Sequence, residues 1–158
     1  MAGIFKATDI LLAAQEIETR GEIFYQRLAD TVSSKEVKET FIFLGNEERK
    51  HREIFRALYE RLGQVELPAW AEEDEYAAYL KYLIDSHTLF RLGDVDSLRQ
   101  YMGTREEALQ TAIGFEKDTI LFFSEMREFV PEGERKHVQD CIEEERSHLR
   151  MLAALLEK

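Results

Sequence analysis

The sequence predicts an all-α protein, a four-helix bundle made of two antiparallel hairpins. Long stretches repeat their apolar residues at helical spacing, and no stretch of useful length alternates as a half-buried strand does. Only two prolines and eight glycines interrupt the 158 residues. Two pairs of long helical stretches, separated by about forty residues, are typical of a bundle with one long crossover. We therefore expect a single domain over residues 1–158.

Capping residues predict the two helices of the first hairpin. The first helix covers about 8–31 and begins near Thr8 or Asp9, which are both good N-caps. The second helix covers about 34–63. It opens with the capping-box pattern SSKE and ends at a glycine. A short turn between the helices makes them antiparallel neighbours.

The second hairpin is predicted in the same way. The third helix covers about 104–130 and opens with TREE, another capping-box pattern. Pro131 stops this helix and can start the fourth, which covers about 131–156.

The segment 64–103 joins the two hairpins. A structureless loop of that length would be unusual, so we expect a partly helical crossover, with helical pieces at about 72–91 and 95–102. Trp70 and a run of tyrosines at spacing three predict packing against the bundle or an interface. The tyrosines are Tyr76, Tyr79 and Tyr82.

Each predicted helix carries an apolar stripe that is interrupted near its middle. Residues at alternating steps of three and four are apolar at both ends of every helix, as expected of stripes that face a bundle interior. Burying an uncompensated carboxylate costs several kcal/mol, so four of them in one core require a counter-charge. The interrupting residues are Glu18, Glu48, His51, Glu116, Glu145 and His148.

The four glutamates are predicted to lie in one layer. Each is 14 or 15 residues from the turn of its own hairpin, at Ser33 or at Pro131. At about 1.5 Å per residue, that is roughly 21–23 Å along the helix. Because the distance is the same in both hairpins, all four carboxylates can meet.

The layer has the composition of a dinuclear metal site. The pentapeptides EERKH (47–51) and EERSH (144–148) each place a Glu and a His three residues apart, on one helix face. Four carboxylates and two imidazoles are the inward-facing ligands of di-iron and di-manganese carboxylate bundles. Their four negative charges balance two divalent cations. We predict two iron ions, with manganese or a mixed pair as the alternative.

Other candidate residues have simpler interpretations. Glu134 and His137 also form a Glu-x-x-His pair, but it lies far from the layer and is interpreted as surface charge. Tyr25, two turns after the first-helix glutamate, is either a hydrogen-bonding or redox-active neighbour of the site or a core residue. Cys141 is interpreted as a small core residue with a redox role as the alternative. His87 is interpreted as solvated or satisfied.

Composition excludes several classes of function. The net charge of −11 argues against nucleic-acid and anionic-membrane partners, which require basic surfaces. A single cysteine favours the reducing cytoplasm. The first residues lack the pattern of a signal peptide, and no apolar run is long enough to span a bilayer.

Four stretches resemble the ferritin-like superfamily and, within it, the rubrerythrin-like di-iron proteins. They are EIETRGEIFYQRLA (16–29), FLGNEERKHREIF (43–55), AIGFEKDTILFFSEM (112–126) and CIEEERSHLRML (141–152). The resemblance covers all four main helices. It implies a ferritin-like bundle whose non-haem di-iron centre reacts with peroxide or dioxygen. It also implies that the six layer residues are the ligands and that Tyr25 is the near-site tyrosine.

The sequence departs from full rubrerythrins in two ways. Their rubredoxin domain carries two C-x-x-C pairs, whereas this chain has one cysteine, so the electron donor would be a separate protein such as a rubredoxin. Rubrerythrins also have a Glu three residues after the third-helix ligand, where this chain has Thr119. The site is therefore closer to the four-Glu, two-His set of other ferritin-like oxidases.

The leading hypothesis is a cytoplasmic di-iron oxidoreductase of peroxidase type, acting in oxidative stress or iron homeostasis. One alternative is a ferroxidase that handles iron. Another is a non-enzymatic helical binding module that metal stabilises. The resemblance also favours a homodimer, in which hairpins can be exchanged between protomers.

Overall fold

The computed structural model describes residues 7–63, 73–88 and 103–158. The predicted all-α four-helix bundle is confirmed, with α1, α2, α4 and α5 as its four long helices. No helix in these ranges combines the length and apolar character needed to cross a membrane. The helices are α1 (Ala7–Thr31), α2 (Lys35–Leu62), α3 (Glu73–Asp85), α4 (Arg105–Phe129) and α5 (Arg135–Leu156).

The first hairpin differs slightly from the prediction at its helix starts. Helix α1 begins at Ala7, so Thr8 and Asp9 lie in its first turn and the predicted N-cap is wrong. Helix α2 is capped by Ser34, whose hydroxyl accepts a hydrogen bond from the Val37 amide at 3.4 Å. The predicted capping box does not form, because the third residue after this cap is a valine and has no carboxylate.

The second hairpin contains one confirmed cap and one correction. Thr104 and Glu107 form the predicted capping box, and each side chain bonds the other residue's amide at 3.1 Å. Helix α5 begins at Arg135 and not at Pro131. Pro131 has an extended ψ of 145° and leads into a short 3-10 turn, Glu132–Glu134, before the α-helix starts.

The crossover supplies one described helix. Helix α3 is shorter than the predicted piece at 72–91, while Trp70 and the piece at 95–102 lie outside the described residues. The Tyr76 ring lies 4.8 Å from the ring of Phe129, and its hydroxyl donates to Glu125. These contacts fix α3 against α4.

The interior of the bundle follows the predicted stripes. Almost every stripe residue is buried, and the exceptions, Val32 and Leu62, are partly buried at helix ends. The helical period therefore identified the inward faces correctly. The buried apolar stripe residues are Ala14, Tyr25, Leu28, Val37, Phe41, Leu44, Phe55, Leu58, Leu109, Ala112, Phe123, Met126, Val130, Val138, Cys141, Leu152 and Leu155.

Candidate metal centre

Six polar side chains from four helices converge in the middle of the bundle. The exposed fraction of each is at most 2%. They are the six residues predicted from the sequence: Glu18 on α1, Glu48 and His51 on α2, Glu116 on α4, and Glu145 and His148 on α5.

The two imidazoles face each other across one carboxylate. The ring centroids of His51 and His148 are 5.9 Å apart, and the rings are inclined by 22°. His51 Nδ1 lies 2.8 Å from Glu145 Oε1, and His148 Nδ1 lies 2.9 Å from Glu145 Oε2. The Glu-x-x-His spacing thus directs Nδ1 of both rings into the layer, and Glu145 lies between them.

The side chains form two overlapping groups that could each hold a metal ion. One group contains Glu18 and His51, and the other contains Glu116 and His148. Glu48 and Glu145 belong to both groups. Within each group, one ligand atom per residue lies within 4.8 Å of all the others. Two neighbouring cations that share two carboxylates would fit this arrangement.

Five buried carboxylate oxygens test whether cations fit. Both oxygens of Glu18, both oxygens of Glu48 and Oε2 of Glu116 have no hydrogen-bond partner in the described part of the chain. Buried polar atoms are nearly always paired, and an unpaired buried charge is costly. Divalent cations between the carboxylates would satisfy all five atoms, so the residues fit a dinuclear centre.

The electrostatics of the layer also favour cations. Burial raises the pKa of Glu18, Glu48 and Glu116 well above the usual range, and the negative charge on Glu145 raises it further. Burial alone would lower the pKa of His51, but Glu145 and a hydrogen bond with Glu144 raise it. Without cations these three carboxyls would hold their protons, whereas bound cations would neutralise the ionised carboxylates.

The comparisons with known proteins agree with this geometry. The sequence model of the rubrerythrin family matches residues 9–156, which is nearly the whole chain. The chain belongs to the rubrerythrin family. No curated protein sequence matches it.

Two solved structures are similar to this rubrerythrin-family chain. One, from Thermotoga maritima, is described as a ferritin-like diiron-carboxylate protein. It is 27% identical with a TM-score of 0.72, over 98% of this chain and 96% of that chain. A hypothetical protein from Pyrococcus furiosus is 23% identical with a TM-score of 0.66, over 97% and 89% of the two chains. The second likeness supports the fold alone.

The sequence analysis missed one residue of this rubrerythrin-family site. Glu144 Oε2 lies 2.7 Å from His51 Nε2, the ring nitrogen that faces away from the layer. This hydrogen bond lowers the pKa of Glu144. The corresponding Glu47 instead binds Lys50, and the His148 ring contacts Phe43 edge-on at 6.1 Å. The repeated Glu-Glu pair in the two pentapeptides was the available signal.

Tyr25 lies beside the layer, as the resemblance implied. It is fully buried, and its hydroxyl donates to Glu116 Oε1. Burial and the neighbouring Glu116 carboxylate raise its pKa well above the usual range, so the phenol stays protonated. Of the two interpretations left open, the structure shows a hydrogen-bonding neighbour of the site.

The remaining candidates divide into core, surface and crossover. Cys141 is buried, and burial raises the pKa of its thiol, which therefore stays neutral. His137 is exposed and lies 3.6 Å from Glu134, which agrees with surface charge. His87 is buried, and its Nε2 lies 3.0 Å from the Thr119 hydroxyl. It is therefore satisfied and not solvated.

Proposed function

We propose that this chain is a di-iron oxidoreductase that reduces hydrogen peroxide or dioxygen. The observation that carries the proposal is the set of five unpartnered, fully buried carboxylate oxygens within two ligand groups. A bundle that bound no metal would have to keep these carboxyls protonated, or leave buried charges uncompensated at a cost of several kcal/mol each. Four carboxylates and two imidazoles suit iron and also manganese.

The chain's residues divide into terminal and shared ligands. Glu18 and His51 would hold one ion, and Glu116 and His148 would hold the other. Glu48 and Glu145 would be shared, because each belongs to both groups. When bound, an iron pair supplies the electrons that cleave an oxygen–oxygen bond.

Neighbouring residues would orient and shield the ligands. Glu144 fixes the ring of His51 through Nε2, an outer contact of the kind that orients metal-ligating histidines. Tyr25 donates a hydrogen bond to Glu116 and thereby holds one of its oxygens in place. Buried apolar residues on both sides of the layer exclude water from it.

The proposal includes partners and a location. Electrons would come from a separate donor such as a rubredoxin, because one cysteine among 158 residues cannot form a four-cysteine iron site. We propose a cytoplasmic homodimer that acts in oxidative stress or iron homeostasis. Size-exclusion chromatography distinguishes a dimer from the large cage that an iron-storage ferroxidase would need.

Elemental analysis tests the metal site. Protein purified from iron-supplemented cells should contain about two irons per chain. The double variant Glu48→Ala, Glu145→Ala removes both shared carboxylates and should lose the iron. The matched control is Glu134→Ala, His137→Ala, which alters the exposed Glu-x-x-His pair and should keep it. A native protein without bound metal, with a double variant of unchanged stability, would favour the non-enzymatic binding module.

Rapid mixing tests the reaction. The iron-loaded protein is reduced with dithionite without air, freed of excess reductant and mixed with peroxide or with dioxygen. Oxidation by peroxide that is faster than oxidation by air would support the peroxidase role. A loaded site that neither oxidant oxidises would refute the proposed function.

A further inference from the structure

We propose that His87, acting through Thr119, is a positioning residue that passes protons from the crossover to the dinuclear site. This inference rests on the proposed function. The pair of His87 and Thr119 joins the crossover to α4 beside the ligand layer. Neither residue is one of the six predicted ligands.

The described crossover segment, residues 73–88, is bound to α4 through its last two residues. His87 is 1% exposed, and its Nε2 lies 3.0 Å from Thr119 Oγ1. The backbone amide and hydroxyl of Thr88 both donate to Asp118 Oδ2, at 2.8 and 2.5 Å. The imidazole is therefore fixed in the wall of the bundle.

Thr119 has an unusual hydrogen bond for a helical hydroxyl in this chain. Several Thr and Ser hydroxyls donate to the carbonyl four residues earlier: Thr19, Thr40, Thr111 and Ser124. Within the described residues, the hydrogen bond of Thr119 is instead with His87. Thr119 is fully buried and lies three residues after Glu116, on the same helix face. A hydroxyl can accept one proton while it donates another.

An aromatic ring also contacts His87. The Phe115 ring centroid is 5.5 Å from that of His87, edge to face. Phe115 also lies beside Gly21 on α1. A Cβ at Gly21 would lie 2.6 Å from Phe115 Cζ and 3.0 Å from Glu48 Oε2. Phe115 is therefore an apolar neighbour of the imidazole, and Thr119 is its hydrogen-bond partner on α4, three residues after Glu116.

Burial keeps the His87 imidazole neutral. Burial lowers its pKa to about 4, the Asp118 carboxylate on α4 opposes this shift, and the Arg20 guanidinium on α1 adds to it. A neutral imidazole carries a proton on one nitrogen and accepts one on the other. It can therefore release a proton toward Thr119 and regain one at its second nitrogen.

The proposed reaction needs a supply of protons. Reducing one hydrogen peroxide to two waters breaks the oxygen–oxygen bond and consumes two electrons and two protons. The electrons come from the iron pair, which dithionite or a rubredoxin-type donor restores. The ligand carboxylates and imidazoles are engaged with the metals, so the protons must come from other groups. His87 with Thr119 is a pair of this kind beside the layer.

The test separates proton transfer from structural support. In His87→Gln the amide nitrogen can still bond Thr119, but an amide does not pass protons at neutral pH. We expect unchanged iron per chain, peroxide oxidation at least about tenfold slower, and an altered pH profile with a larger solvent deuterium effect. Thr119→Ser, which keeps a hydroxyl, should be slowed less than Thr119→Val. His137→Gln is the matched control for an exposed histidine.

A second measurement is independent of activity. In zinc-loaded protein, the nitrogen-15 resonances of the His87 ring should remain those of a neutral imidazole as the pH falls below 6.5, the ordinary pKa of histidine, toward about 4, and Thr119→Val should shift them. A His87 ring that becomes protonated near pH 6.5 would overturn the inference.

The kinetic outcomes are equally distinct. If the wild type reacts and His87→Gln matches its rate and pH profile, His87 does not pass protons. If His87→Gln loses iron, its role is in holding the site, and the inference is again overturned. An iron-loaded wild type that is inert to both oxidants would instead refute the proposed function itself.

Discussion

Replacing Gly21 by alanine should distort the metal layer from a position that ligates nothing. Gly21 lies on α1, one turn after Glu18, and is buried. An added Cβ would lie 2.6 Å from Phe115 Cζ and 3.0 Å from Glu48 Oε2. The first distance is too short for a carbon–carbon contact, so Phe115 must move. Glu48, one of the two carboxylates common to both ligand groups, is also crowded.

The expected magnitude follows from two opposing effects. Glycine to alanine in a helix interior stabilises a protein by about 1 kcal/mol. Overpacking a buried site costs about 1–3 kcal/mol. We expect an overpacking cost near the upper value, about 3 kcal/mol, because Phe115 has little room to move. Its ring centroid lies 6.0 Å from that of Phe24 and 5.8 Å from that of Tyr25. Gly21→Ala should therefore lower the free energy of unfolding by about 2 kcal/mol.

Gly45→Ala is the matched control. Gly45 is also buried in a long helix, but an added Cβ would lie 3.4 Å from its nearest neighbour, Tyr25 Cβ, which is an ordinary contact. Because no overpacking opposes it, the higher helix propensity of alanine should raise the free energy of unfolding of this variant by up to about 1 kcal/mol. Urea unfolding gives both values, and elemental analysis should show reduced iron in Gly21→Ala alone. A Gly21 variant as stable as the Gly45 variant, with full iron content, would refute the reasoning.

Three further predictions concern the surroundings of the layer. Glu144→Gln should weaken metal binding about 10- to 100-fold by removing the carboxylate on His51, whereas the corresponding Glu47→Gln should not; a competitive chelator titration measures both. Tyr25→Phe should cost about 1–3 kcal/mol in urea unfolding, because Glu116 Oε1 loses its buried donor. Burial lowers the pKa of His87 from 6.5 to about 4, so the unfolded chain takes up a proton between these values. The wild type should therefore lose up to about 3 kcal/mol of stability as the pH falls through this window, and a smaller loss is expected for His87→Gln; an unchanged pH dependence of urea unfolding would contradict this assignment.

The ligand layer was predictable because it depends on helix geometry alone. The period of 3.6 residues fixes the face on which Glu48 and His51 project, and the rise per residue fixes their height. Which carboxylates are shared was not predictable. That choice depends on how the helices are rotated and on side-chain rotamers, which place Glu48 and Glu145 in both groups.

Contacts between distant segments were not predictable either. The hydrogen bond between His87 and Thr119 joins residues 32 positions apart, and nothing in the spacing of the crossover indicates it. The start of α5 was predicted wrongly for a local reason. Pro131 is compatible with the first position of a helix, but its extended ψ delays the helix until Arg135.

The two halves of the layer share their ligands and differ in what surrounds them. Among the residues that the structure describes, an outer carboxylate bonds a ligand histidine on one side, where Glu144 bonds His51. On the other side, Tyr25 bonds Glu116, and the neutral pair of Thr119 and His87 lies one turn away. An ion held by Glu18 and His51 would therefore have an extra negative charge nearby, whereas an ion held by Glu116 and His148 would have neutral hydrogen-bond donors. Added negative charge stabilises a more highly charged ion, and neutral donors stabilise an oxygen atom that gains charge during reduction. The differences between the hairpins therefore favour two metal positions with unequal chemistry.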